Sequence, residues 1–169
     1  PAETFVDAAF ADGPDLSHTS SETRAGYVSR LVRGGFPEAV ARPERRRQRF
    51  LDEYVSDLIN RDLLQVAQIE RAQDLRRLLR LVAARSGQLL VPGNLANGLT
   101  ITAPTVRRYL DLLEEVFLIK RIPAWARSLS RREVGTPKVA LVDSGVAANV
   151  LGHDAAGLQR LDSPLGGLL

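Results

Sequence analysis

Residues 102–122 read TAPTVRRYLDLLEEVFLIKRI, and the period of their apolar positions changes partway along. Val106, Leu110, Leu113 and Phe117 recur at i, i+4, i+7 and i+11, which lines them up on one face of an α-helix. Thr102 stands just before this run, where its hydroxyl can accept from the open N–H groups of the first turn. Pro104 lies within that turn, where a missing N–H does no harm. From Phe117 to Ile122 the pattern is that of a short strand, broken at Pro123. A second strand is expected over residues 138–142, Lys138-Val139-Ala140-Leu141-Val142, ended by Asp143-Ser144-Gly145.

Working back from this stretch, a helix is expected over about residues 72–86. Leu75, Leu78, Leu79 and Val82 form its apolar face, and Gly87 suits its C-terminal cap. Pro92-Gly93-Asn94 introduces a short helix, Leu95-Ala96-Asn97, and Thr100-Ile101-Thr102 turns the chain into the capped helix. Three helices followed by a two-stranded hairpin is the order of a winged helix-turn-helix. Further upstream, Thr23 to Arg33 predicts a short helix with Tyr27, Val28 and Leu31 on one side. It stops at Gly34-Gly35-Phe36-Pro37, because glycine tolerates positive φ and Pro37 steers Phe36 away from the helical region. Pro43 then suits the first turn of a long helix in which Phe50, Tyr54 and Leu58 recur at i, i+4 and i+8, with Val55 and Ile59 broadening the stripe. Arg45-Arg46-Arg47 reads as a solvated helix start, with Glu44, Asp52 and Glu53 as local partners. The expected fold class is mainly α with a small β-hairpin: a helical segment followed by the winged helix-turn-helix. Residues 11–23 are polar, carry Gly13-Pro14 and read as a loop or linker. The tail from Val146 reads as a short helix or loop.

Composition narrows the chemistry. The 169 residues suit one medium domain or two small ones, and 44% of them are apolar, enough for a real core. The chain has no cysteine, which excludes a disulfide framework and a thiolate metal site and fits a reducing, cytoplasmic compartment. No apolar run approaches the roughly 18 residues that span a bilayer, and no signal peptide opens the chain, so no membrane partner is expected. There is no methionine and the first residue is Pro1, so an excised or processed piece of a longer protein is expected. The net charge of +3 hides an asymmetry. Residues 1–23 hold Glu3, Asp7, Asp12, Asp15 and Glu22 and no Lys or Arg, so the rest of the chain is strongly basic. Nearly all of that base is arginine; Lys120 and Lys138 are the only lysines. A basic body attracts nucleic acid or another acidic surface.

Catalytic groupings are hard to find. No GxxxxGK[ST] phosphate loop occurs, and Gly34-Gly35 is too short to cradle a phosphate. His18 and His153 lack metal-ligand spacing, so no metal site is expected. Asp143, at a strand end before Ser-Gly, is read as a turn former rather than as half of a carboxylate pair with Asp154. Arg61-Asp62, late in the long helix, reads as an ion pair.

The binding candidates follow from the winged-helix reading. The second helix of a helix-turn-helix presents its N-terminal residues to the major groove. Here these are Thr102, Pro104, Thr105, Arg107 and Arg108. The loop between the strands would be the wing, with Arg127, Arg131 and Arg132 against phosphates. Against base reading, Arg108 shares the outward face with Asp111 and Glu115, whose carboxylates would repel a phosphate backbone. Direct DNA contact and a structural or docking role are both open on this pattern.

An ordered series of short motifs carries a family resemblance: Gly34-Gly35-Phe36-Pro37-Glu38, Tyr54, Arg61-Asp62, the Leu-rich helix, Ala96-Asn97, Thr105-Val106-Arg107-Arg108-Tyr109-Leu110, Leu113-Glu114 with Phe117-Leu118-Ile119, Pro137-Lys138 and Asp143-Ser144-Gly145. Over residues 27–152 the chain resembles the C-terminal region of predicted bacterial AAA-superfamily ATPases, in which a domain of unknown function follows the ATPase core. The resemblance implies a core with Walker motifs first, then a small helical lid and a winged helix, then a part similar to restriction endonucleases. Residues 1–23 would then be a linker or a remnant of the core, 24–70 a helical lid-like segment, 71–143 the winged-helix domain, and 144–169 the truncated start of the nuclease-like part. A lid arginine that approaches the γ-phosphate would be Arg24, Arg30 or Arg33. ATP and Mg would be held by the core, which this chain lacks, so no enzymatic activity of its own is expected. The resemblance implies a regulatory and interaction module whose partner is its own ATPase core, and the basic wing leaves non-specific DNA contact open to it. The alternative is a free-standing winged-helix transcription regulator.

Overall fold

The computed structural model describes residues 21–63, 72–125 and 135–160, apart from the side chains of residues 62 and 63. Thr23 opens α1 (Arg24–Arg33) by accepting from the Gly26 N–H at 3.1 Å. Val28 and Val32 form its buried edge, while Tyr27, expected on the inner side, is 45% exposed. The helix ends at Gly34, whose φ is 65°. There the chain meets a segment more than a hundred residues away: the Gly35 N–H donates to Asp143 Oδ2 at 2.7 Å. A Cβ on Gly34 would collide with the same carboxylate, and one on Gly145 would lie 3.0 Å from Gly34 Cα. Both glycines are therefore demanded by close approach, beyond the turn itself.

A short α2 (Pro37–Val40) leads to α3 (Glu44–Asp57), with Pro43 as the residue that precedes it. Phe36 packs on Phe50 and Tyr54, at 5.7 and 4.7 Å between ring centroids, and the Arg42 guanidinium lies over Phe50 at 4.4 Å. The glycine turn is thus pinned on both sides. Leu51 and Ile59 are the fully buried residues here, whereas Phe50, Tyr54, Val55 and Leu58 are half-buried. The helix continues as a π-helical segment over Leu58–Leu63.

α4 (Ala72–Ala84) buries Leu75, Leu78, Leu79 and Val82 as its period requires. Gly87, at φ 76°, turns the chain, and its N–H donates to the Val139 carbonyl at 2.8 Å. This begins a strand that the sequence did not announce, β1 (Gln88–Leu89). α5 (Pro92–Asn97) and α6 (Ala103–Glu115) follow, the latter capped by Thr102. β2 (Ile119–Ile122) and β3 (Lys138–Leu141) complete a three-stranded antiparallel sheet in the order β1-β3-β2. Ile119 pairs with Leu141 and Ile122 with Lys138, while Leu89 pairs with Lys138 on the other side. The expected two-stranded hairpin is therefore corrected to three strands.

Phe117 is a second correction. It continues neither the helical stripe nor the strand. The Phe117 N–H donates to the Glu114 carbonyl and the Leu118 N–H to the Leu113 carbonyl, both at 3.0 Å. This Schellman closure requires a left-handed residue at Phe117, which has φ 57° and is 79% exposed.

Asp143 caps α7 (Ser144–Val150), accepting from the Val146 N–H at 2.8 Å, and Asp154 caps α8 (Ala155–Gln159). α7 packs on α1, α3 and α4, and α8 packs on α1. The core joins these helices to α6 and to the inner face of the sheet, through Val106, Leu110, Leu113, Ile119, Val139, Val146 and Ala148. The fold is mainly helical with a small antiparallel sheet.

Candidate interaction surface

The first turn of α6 is set by its cap. Thr102 Oγ1 accepts from the Thr105 N–H at 3.4 Å and shares a 2.9 Å hydroxyl contact with Thr105 Oγ1. Thr105 is half-buried, and its hydroxyl is engaged in the cap. Arg107, one turn on, is exposed and makes no side-chain hydrogen bond or ion pair among the described residues. Arg108 is exposed and engaged within the molecule.

Asp111 and Glu114 lie further along the same helix and meet Arg121 of β2. Arg121 Nη1 bridges Asp111 Oδ1 at 2.8 Å, and its Nε bridges Glu114 Oε2. The Arg121 N–H also donates to Glu114 Oε1 at 3.0 Å. β2 is an edge strand. One of its N–H groups thus ends in a side chain of α6 instead of standing open for another strand. Lys120 Nζ approaches Glu114 Oε1 at 3.6 Å. Burial opposes the Glu114 charge, but the Arg121 N–H, its guanidinium and Lys120 outweigh that and hold the carboxyl below its usual range. The same carboxylates outweigh burial at Arg121 and raise its pKa.

Arg121 was not among the sequence candidates. The signal was present in the strand alternation, since Ile119 and Arg121 share a face and Ile119 is buried against the core. Asp111, expected to oppose a phosphate, has its charge engaged by this arginine. Glu115 is exposed at the far end of the helix.

The other candidates are dispersed. Arg24 donates to the carbonyls of Leu158, Gln159 and Arg160, at 3.3, 3.3 and 2.9 Å, and so closes the end of α8. Arg30 pairs with Glu22. Arg33 is exposed. All three lie on α1, which packs on α7 and α8, whereas α6 packs on α4, α5 and β2. Arg127, Arg131 and Arg132 lie outside the described residues, as does His18. Just before that stretch, Trp125 is 81% exposed. Arg61 is exposed, and the Asp62 side chain lies outside the described residues.

The clefts of the helical layer include two walled by charged side chains. One of about 170 Å³ lies between Asp52, Ser56, Arg76, Arg80 and Asn149. The other, about 420 Å³, is lined by Phe50, Glu53, Tyr54, Asp57 and Arg61, and burial raises the Tyr54 hydroxyl pKa. Among the described residues, no three His, Cys, Asp or Glu side chains are grouped as a metal ion requires, and no helix is long and apolar enough to cross a membrane.

Residues 24–157 match a family described as "Domain of unknown function (DUF8612)". The chain is 29% identical over 161 residues to an uncharacterized protein of Mycobacterium tuberculosis and equally to one of Mycobacterium bovis, matches that cover 83% of this chain and 36% of each relative. An uncharacterized protein of Haemophilus influenzae is 27% identical over 132 residues, covering 73% of this chain and 32% of that protein. The chain thus spans about a third of the length of these curated relatives. No solved structure matches.

Proposed function

This chain belongs to the DUF8612 family, and we propose that it is a winged-helix interaction module of a longer AAA-type ATPase, contacting duplex DNA through phosphates rather than base edges. The element order supports the winged helix: α4, β1, α5, α6, β2 and β3, with β3 at the centre of the sheet. In that arrangement α6 is the helix that faces the groove. The single observation that carries the DNA reading is the solvent-facing Arg107 on the Thr102-capped half of α6, beside an Asp111 already held by Arg121. The engagement of the Thr105 hydroxyl in the cap favours phosphate contact over base reading. The relatives' greater length leaves room for an ATPase core, which would hold ATP and Mg. The motif series from Gly34 to Gly145 supports that assignment, and the core is then the module's own partner.

The test is a salt titration of fluorescent duplex binding on two unrelated sequences. Wild type should bind both alike at low salt. Replacing Arg131 and Arg132 with alanine should make the slope of log affinity against log salt shallower by roughly 2, at about 0.9 per neutralised phosphate. Absence of binding at low salt would remove the DNA role, and strong preference for one sequence would favour a base-reading regulator.

An exposed aromatic in a strained left-handed conformation favours a second reading, in which the module docks on its core through Phe117. In that case Phe117→Gly should change the ATPase rate of the full-length protein without destabilising the module.

A further inference from the structure

Asp111 stands four residues after Arg107 and three after Arg108. These are the two spacings at which opposite charges on a helix meet. Left to the helix alone, Asp111 would draw one of these arginines down onto the helix surface. Instead its Oδ1 lies 2.8 Å from Arg121 Nη1, on a different element. Arg121 is itself fixed by two further bonds to Glu114, one through its backbone N–H and one through its guanidinium. Its side chain is 35% exposed and Asp111's is 61% exposed, so the bridge lies at the rim of the candidate surface. Glu115 does not compete for Arg107: eight residues on, it is roughly 12 Å further along the helix axis.

We infer that Arg121 is a positioning residue for the DNA contact: by holding Asp111 against β2, it leaves Arg107 open to a phosphate. This rests on the reading of α6 as the DNA-facing helix. Arg121 need not touch DNA. It acts by removing the carboxylate that would otherwise occupy Arg107, so the strand sets how much of the helix's positive charge is available.

Two readouts test this, one of them without DNA. The Arg107 Nε–Hε resonance should shift in Arg121→Gln, as Asp111 is released to pair with it. It should return to its wild-type position in the double variant Arg121→Gln/Asp111→Asn. In duplex titrations at about 50 mM salt, Arg121→Gln should weaken binding roughly tenfold, the loss of about one phosphate contact. The double variant should recover to within a few-fold of wild type. A thermal melt of each variant controls for loosening of the β2 edge, and rescue by Asp111→Asn is not expected from a purely structural role. If wild type binds duplex and the double variant stays as weak as Arg121→Gln, the positioning role is wrong. If Arg107's resonance is unmoved in Arg121→Gln, it is equally wrong, whatever the binding shows. If wild type fails to bind at all, the DNA reading falls and this role falls with it.

Discussion

The molecule has two joints of opposite character. At the first, Gly34 and Gly35 meet Asp143 and Gly145, backbone against carboxylate, with no room for a side chain at Gly34 or Gly145. At the second, Asp111 and Glu114 of α6 meet Arg121 of β2 through long, partly exposed charged side chains. The first ties the end of α1 to the start of α7 and leaves nothing to adjust. The second sits beside free positive charge and is built from groups that salt, pH and substitution can all move. Tight backbone contacts indicate where the fold is held. On the proposed reading, the charged contact at the rim is where a partner is met.

The largest effect expected of any substitution here lies in the core that both joints enclose. Leu110 is 1% exposed, and Leu110→Ala should cost about 2–5 kcal/mol in denaturant titration. A loss below about 1 kcal/mol would mean that α6 does not face inward as described. The glycine joint comes next. Gly34→Ala places a Cβ at positive φ and against the Asp143 carboxylate, so a cost of roughly 2 kcal/mol or more is expected, of which about 1–2 is the left-handed penalty. If Gly34→Ala is neutral, the two joints do not differ as claimed. At Phe117 the sign reverses: glycine relieves a left-handed penalty of about 1–2 kcal/mol and gives back about 0.5–1 in chain entropy. Phe117→Gly should therefore leave the melting temperature unchanged or raise it slightly, and a clear drop would show that the ring packs after all.

The charged joint should show a small acid dependence. Glu114 titrates below its usual value of 4.5, so the unfolded chain binds the proton more readily than the folded one. Its contribution is present above the unfolded value and is lost as pH falls through the folded one. Glu114→Gln should therefore lower stability near neutrality, with the gap to wild type closing as pH falls below about pH 5. Equal curves would place the acid dependence elsewhere.

Local patterns were legible in the sequence and distant ones were not. The Thr102 cap, the α4 face and the Val106, Leu110 and Leu113 stripe each follow from a few neighbouring residues, and each lies where the period put it. β1 has only two residues, which cannot display a period. Phe117 fitted both the helix and the strand pattern, and the hydrogen bonds that close the helix decided against both. In α3 and the π-helical segment that continues it, residues 50, 54 and 58 and residues 51, 55 and 59 form adjacent rows of equal spacing. Packing, not periodicity, chose Leu51 and Ile59 as the buried pair, with α3 set against α7 and the π-helical segment against α4. Gly34-Gly35 was readable as a turn, but its partner Asp143 lies 108 residues away. The strand alternation put Arg121 on the face of Ile119 but could not show its partners, because these depend on which face of a strand meets which face of a helix.

The most direct test of the central claim concerns Arg107. Anisotropy titrations of a fluorescent duplex, at several salt concentrations, compare wild type with Arg107→Ala. If α6 faces DNA through this arginine, the slope of log affinity against log salt becomes shallower by about 0.9, and by the same amount on two unrelated sequences. Identical slopes for wild type and variant would contradict it, as would the absence of wild-type binding at low salt.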